Sequence, residues 1–299
     1  MIIDRLIDAI EEKRNPTAAG LDTLLEHLPD DLLNSRRIET LEDAADVMFE
    51  FNAAIIDALH EIVPCVKIQS ACYEMYGPAG VSCMKKTIDY AAGRNLIVIA
   101  DCKRNDIGST AAAYASAYIG GTKLPGGEAK AFGADFVTVT AYLGEDGIKP
   151  FTDACKKYDK GIFVLVKTSN PSSGQLQDIE CGGRTVYRIM GEMVEGWGKD
   201  LIGASGYSSV GAVVGATYPS QGAELRRALP SVFFLVPGYG AQGATGKDIA
   251  GCFDKDGRGA VVNASRSLLC AHKKWPGISF FEAARREAIK MRDDLRANI

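Results

Sequence analysis

The sequence predicts an α/β protein: a (β/α)8 TIM barrel with an extra N-terminal helix, forming a single domain over residues 1–299. Three observations predict it. Eight short runs rich in Val, Ile, Leu and Ala recur along the chain, and most lack polar alternation, as strands buried on both faces of a parallel sheet do. Amphipathic segments lie between those runs. Charged and hydrogen-bonding residues close the runs rather than interrupt them, and a barrel carries its chemistry where strands end. Eight alternations in 299 residues fit one barrel better than two smaller domains.

Taken in order, a helix is expected over 2–13, ahead of the first strand. Strands are expected at 17–22, 62–69, 95–101, 135–140, 161–168, 210–216, 231–237 and 259–264. Leu41, Ala45, Met48, Phe49, Ala53 and Ile56 recur at helical spacing and predict a helix over 41–59. Similar stripes mark 186–197 and 280–295, and a helix is expected over 111–118. Two stretches rich in Gly, Pro and Ser, 120–127 and 169–183, read as loops. No repeat, charge block or Pro- and Ser-rich linker divides the chain.

Composition narrows the partners. Lys plus Arg total 34 against 38 Asp plus Glu, a net charge of −4. That balance offers no broad positive field, so neither nucleic acid nor a membrane surface is expected as a partner. A few local cations would still suffice for a small anionic ligand. The eight cysteines form no C-x-x-C pair and none stands in metal-ligand spacing with His27, His60 or His272. They read as reduced core residues, and no metal site is expected. The opening Met-Ile-Ile-Asp-Arg-Leu-Ile-Asp carries acids where a signal peptide would be basic and apolar. No apolar run nears the ~20 residues that span a bilayer. A cytoplasmic protein is expected.

The polar residues closing the strands are Asp22, Lys67, Asp101 with Lys103, Thr140, and Thr168 with Ser169 and Asn170. A Gly-rich loop follows Pro237, and Asn263 with Arg266 follows the last strand. Asp101 and Lys103 are two residues apart on the third strand, so both leave on one face. If Ile97 and Ile99 line the interior, they continue that row to the rim. A carboxylate and an ammonium held together in a partly dry pocket lock each other's charge. Lysine is a compact cation able to give up a proton. A bare D-x-K-x-x-D string also describes a solvated ion pair. Its place at the end of a buried strand, beside strands ending in Asp22 and Lys67, sets this one apart.

The string Asp101-Cys-Lys-Arg-Asn-Asp-Ile-Gly-Ser-Thr110 resembles the D-x-K-x-x-D-I-G-x-T signature of orotidine 5′-monophosphate decarboxylases, particularly the longer bacterial and protozoan-type group. Gly20-Leu-Asp22 resembles the family's first-strand aspartate and Val66-Lys67 its second-strand lysine. Lys167-Thr-Ser-Asn-Pro171 resembles the pyrimidine-side segment after the fifth strand. Pro237-Gly-Tyr-Gly-Ala-Gln-Gly243 and Asn263-Ala-Ser-Arg-Ser267 resemble the two phosphate-binding segments. The matches run from residue 20 to residue 267 in the family's order.

That resemblance implies decarboxylation of orotidine 5′-monophosphate to uridine 5′-monophosphate, the last step of de novo pyrimidine nucleotide biosynthesis, with no cofactor. It implies a catalytic network of Lys67, Asp101, Lys103 and Asp106, with Lys103 as proton donor. Asp106 and Thr110 would complete the partner's site across a homodimer. Asp22 would hold a ribose hydroxyl. Thr140, Thr168 and Ser169 would contact the substrate, the last two on its pyrimidine side. Gln242, Gly243 and Arg266 would take the phosphate. Remote phosphate binding would have to help close the site, which predicts a cation and a mobile loop, here Arg266 and residues 238–247.

Competing readings are weaker. A metal-dependent keto-acid decarboxylase or aldolase on a related barrel shares D-x-K-x-x-D but places a metal-binding carboxylate at the second-strand end. Here Lys67 stands there, and a cation beside Asp101 disfavours a divalent metal. A catalytically dead nucleotide-binding protein would not need the proton donor. Gly238-Tyr-Gly-Ala-Gln-Gly243 spells G-x-G-x-x-G. However, Asp248, Asp254 and Asp256 miss the ~20-residue spacing of a dinucleotide fold. Loops after the seventh and eighth barrel strands commonly bind phosphate, and that reading prevails. Lys167 reads equally as a ligand contact or a structural ion pair.

Overall fold

The computed structural model describes residues 1–240 and 243–299. Eight parallel strands close a barrel in sequence order: β1 (Thr17–Gly20), β2 (Cys65–Gln69), β3 (Ile97–Arg104), β4 (Phe136–Val139), β5 (Gly161–Lys167), β6 (Ser208–Val214), β7 (Val232–Pro237) and β8 (Ala260–Ala264). β8 pairs back onto β1, with Ala18 opposite Asn263. All eight expected strands form, and the expected TIM barrel with an N-terminal helix is the fold of the described residues.

Alternate residues along each strand feed two separate cores. Val66, Val98, Val137, Val164 and Phe234 face the surrounding helices. Cys65, Ile97, Ile99, Phe136, Phe163, Phe233 and Val261 fill the barrel interior. Burial on both sides is why the strand sequences show so little polar alternation. The N-terminal helix α1 (Ile2–Lys13) adds Ile2, Ile3, Leu6 and Ile7 to the interior cluster and so plugs the N-terminal end of the barrel. Asp4 on α1 accepts from the backbone N–H groups of Ser205 (2.8 Å) and Ala204 (3.2 Å), which ties the plug to the segment before β6.

The helix over Leu41–Leu59 has the expected bounds, begun by a capping box in which Thr40 and Asp43 each accept the other's backbone N–H. Its buried face is wider than the expected stripe. Ala45, Met48 and Ile56 are buried as expected, with Phe51 and Ile55, but Leu41 is exposed. Phe49 turns to the next helix, Gly77–Gly93, meeting Tyr90 edge-on at 6.0 Å. The helix packs on the barrel and on a neighbour, so one narrow stripe cannot describe it.

Both stretches read as loops carry local structure. In the first, Thr122–Leu124 pairs antiparallel with Gly127–Ala129, which runs just past it. The second holds a helical turn, Gly174–Gln177, and the first arm of a hairpin, Glu180–Cys181, whose partner Arg184–Thr185 follows directly. Gly182 and Gly183, at φ 60° and 77°, form the two-residue turn of that hairpin, a conformation that favours glycine.

Candidate active site

The barrel opens at the C-terminal end of its strands into a cavity of about 700 Å³. One wall is charged, built by Asp22, Lys67, Asp101 and Lys103. Leu165, Val213 and Leu235 from β5, β6 and β7 form an apolar wall. Thr168, Ser169 and Asn170, with Gly238, Tyr239 and Arg266, line the rim from the loops.

The charged wall is one connected network. Lys67 is 3% exposed and its Nζ donates to Asp22 Oδ1 (2.8 Å) and Asp101 Oδ2 (3.0 Å). Lys103 Nζ donates to Asp101 Oδ1 at 2.7 Å, while its side chain stays 43% exposed. Burial alone would push the Asp101 carboxyl up, but Lys67 and Lys103 outweigh it and hold it well below the usual carboxylate range. Burial likewise opposes the charge on Lys67, and Asp101 and Asp22 outweigh it, raising that ammonium above the ordinary lysine range. Positive and negative charges alternate across the wall, which is how buried ions remain charged.

Three residues that the sequence did not single out complete the network. Gln69 Nε2 donates to Asp101 Oδ2 at 3.1 Å, and Thr138 Oγ1 donates to Asp101 Oδ1 at 2.8 Å. Ser265 Oγ donates to Asp22 Oδ2 at 2.8 Å, joining β8 to β1. Asn263 Nδ2 in turn donates to Ser265 Oγ at 3.2 Å. Gly20 makes this closure possible: a Cβ there would meet Ser265 Oγ at 2.0 Å and Asn263 Oδ1 at 2.9 Å. A signal existed for each, since Gln69 lies two residues past Lys67, Ser265 two past Asn263, and Thr138 two before Thr140, all in inward register.

Of the other expected residues, Thr168, Ser169 and Arg266 stand at the cavity with Asp22. Gln177 clamps Thr168, accepting from its backbone N–H (3.0 Å) and donating to its hydroxyl (2.8 Å). Thr140 lies outside the cavity lining, its backbone N–H donating to Arg104 O, and Thr138 takes the inward place. Gly243 borders an adjoining space shared with Tyr239 and Arg266. Gln242 lies outside the described residues. Lys167 is fully buried, paired with Asp178 (2.7 Å) 4.5 Å above the Tyr218 ring, and is the structural ion pair. Asp106 and Thr110 are not among the residues lining this chain's own cavity; Asp106 accepts from Ile107 N–H at 2.8 Å and Thr110 is exposed. Cys72 also lines the cavity, and burial pushes its thiol up to about 11, which disfavours the thiolate at neutral pH.

Fold and site together define a (β/α)8 barrel with an ion-network cavity for a small molecule at the C-terminal rim of its strands. The model of the Orotidine 5'-phosphate decarboxylase / HUMPS family matches residues 41–274, and the chain belongs to that family. It is 47% identical over 266 residues to the orotidine 5'-phosphate decarboxylase of Rhodopirellula baltica, covering 89% of this chain and 87% of the relative. With that of Clostridium acetobutylicum it shares 42% identity over 302 residues, spanning 100% of both. The solved structure of Leishmania donovani OMP decarboxylase matches with a TM-score of 0.75 at 29% identity, over 99% of this chain and 98% of that one. Leishmania donovani UMP synthase matches with a TM-score of 0.77 at 30% identity, over 99% of this chain and 56% of that one.

Proposed function

We propose that this protein decarboxylates orotidine 5′-monophosphate to uridine 5′-monophosphate, with Lys103 protonating C6 of the pyrimidine. The observation that carries the reading is the asymmetry between the two lysines. Lys67 is buried and saturated by two carboxylates, whereas Lys103 keeps one carboxylate partner and an ammonium open to the cavity. Loss of CO2 from C6 leaves a carbanion without an ordinary electron sink. An ammonium fixed beside it stabilises that charge and then supplies the proton. The barrier reduction such a reaction needs is on the order of 20 kcal/mol, more than one ion pair supplies. Binding of the distant phosphate at Arg266 and the loop after β7 provides the remainder.

The network also favours chemistry without a metal. Lys67 Nζ already occupies the space between Asp22 and Asp101, the two carboxylates that would otherwise attract a divalent cation. The site is proposed to work as a homodimer in which Asp106 and Thr110 reach the partner's cavity. Exposed Ile107, Leu143 and Tyr142, the last 82% exposed, support this. Asp106 and Leu143 both border Gly147, so the apolar patch adjoins the aspartate. Among the described residues no helix is long and apolar enough to cross a membrane. All eight cysteines are unpaired, which fits the reducing cytoplasm.

The test is CO2 release from orotidine 5′-monophosphate in EDTA, using wild type, Lys103→Ala, Asp106→Ala and a co-refolded mixture of the two variants. Wild type turns over, each variant loses at least about 100-fold, and the mixture regains activity because hybrid dimers hold one intact site. EDTA-sensitive turnover restored by Mg²⁺ would overturn the metal-free reading. A mixture as inactive as its components would overturn the shared site.

A further inference from the structure

The geometry points to Thr138 as a positioning residue for the proton donor, an inference that rests on the decarboxylase reading above. β3 and β4 pair regularly through Ile99 with Phe136 and Ala100 with Val137, and then jump to Arg104 with Val139. Three residues of β3, 101 to 103, therefore stand opposite the single residue Thr138. This is a bulge, and bulges re-aim side chains near active sites. Here it presents Asp101 and Lys103 to the cavity.

The bulge has a cost. Lys103 adopts φ 46°, the left-handed region that residues other than glycine seldom occupy. Its backbone N–H also falls out of the ladder. Thr138 Oγ1 accepts that N–H at 3.0 Å and donates to Asp101 Oδ1 at 2.8 Å. A hydroxyl has one proton, so accepting from Lys103 directs the O–H at Asp101. Asp101 Oδ1 is the same oxygen that receives Lys103 Nζ. The backbone of Lys103, its ammonium, the Asp101 carboxylate and the Thr138 hydroxyl thus form a closed ring.

Among the described residues no neighbouring group duplicates this contact. Lys67 and Gln69 both bind the other oxygen, Oδ2, and the adjacent wall of Leu165 and Val213 is apolar. Thr138 is 1% exposed, and its branched Cβ restricts χ1, so the hydroxyl is delivered in one orientation. Its role is to hold the strained lysine in the arrangement that aims the ammonium.

The experiment compares Thr138→Val, which keeps the shape and removes the hydroxyl, with Thr138→Ser, which keeps the hydroxyl. Two readouts are taken on the full chain: kcat and KM for orotidine 5′-monophosphate, and hydrogen exchange of the Lys103 amide. Thr138→Val is expected to lower kcat about 10- to 100-fold, the scale of an ångström-level misplacement, with KM changed less than about threefold. The Lys103 amide loses its protection in that variant, and Thr138→Ser restores both. Wild-type kcat in Thr138→Val, or equal losses in the Val and Ser variants, overturns the inference. If Thr138→Val does not fold, Thr138→Ala replaces it with the same expectations. A wild type that is inactive overturns the decarboxylase reading instead, while the amide exchange still decides whether Thr138 clamps Lys103.

Discussion

The two sides of the cavity are built differently. On the β1–β3 side, Lys67, Asp101 and Lys103 sit on strands and are interlocked: Asp101 accepts from Lys67, Gln69, Lys103 and Thr138. On the β7–β8 side, Asn263 stands near the end of β8, and Arg266 and Ser267 lie on the helical turn Arg266–Leu269 that follows it. Arg266 is exposed there, and Asn263 Oδ1 and Ser267 Oγ are buried without a hydrogen-bond partner among the described residues. Polar atoms left without a protein partner beside a cavity are free to meet a ligand or water. The contrast teaches a division of labour. The strand side is assembled before any substrate arrives, so it need not reorganise as charge develops. The β7–β8 side keeps contacts in reserve, and the binding energy they release can be spent on the reaction.

That contrast can be broken most forcefully at Lys67. Lys67→Met leaves Asp22 and Asp101 close together without the ammonium between them. Removing one partner of a buried ion network costs about 3–5 kcal/mol, so denaturant unfolding should record a loss of that size together with lost turnover. A variant as stable as wild type would mean that the strand side is not pre-assembled by charge.

Arg266→Ala tests the other side. Folding stability should change by no more than about 0.5 kcal/mol, the usual range for an exposed site. KM should rise about 10- to 100-fold, as expected on losing a hydrogen bond to a charged group. A large fall in stability would erase the distinction between the two sides.

The smallest effect concerns the closed end of the barrel. Burial raises the Asp4 carboxyl, but the Ser205 and Ala204 donors and the N-terminal ammonium outweigh it and bring it down to about 2. A carboxyl lowered on folding adds stability above its unfolded value near 4 and loses it as pH falls toward 2. Asp4→Asn should therefore cost about 1–2 kcal/mol at neutral pH and almost nothing near pH 2. Unfolding curves at both values check this. An equal cost at both would show that the aspartate contributes no pH-linked stability to the plug.

Much of the fold was legible because its signals are local. Two-sided burial leaves an apolar run that can be counted. Asp22, Lys67, Asp101 and Lys103 were legible as charges closing such runs. Thr138 and Gln69 carried only a weaker signal, their inward register, because a neutral polar residue on a strand looks like any half-buried position. Thr140 stood out by ending a run, yet the bulge in β3 gives the inward place to Thr138.

The sequence by itself determined eight strands in order, a helix ahead of the first, and charged residues closing the first three. It did so because burial and spacing act over a few residues. Only the tertiary structure decided which of those polar groups meet. Ser265 reaches Asp22 across 243 residues of chain because barrel closure lays β8 against β1. Lys167 turns outward to Asp178, while Lys67, in the middle of β2, turns inward to two carboxylates. Neither outcome has a local signal, since each depends on strands distant in sequence converging at one rim.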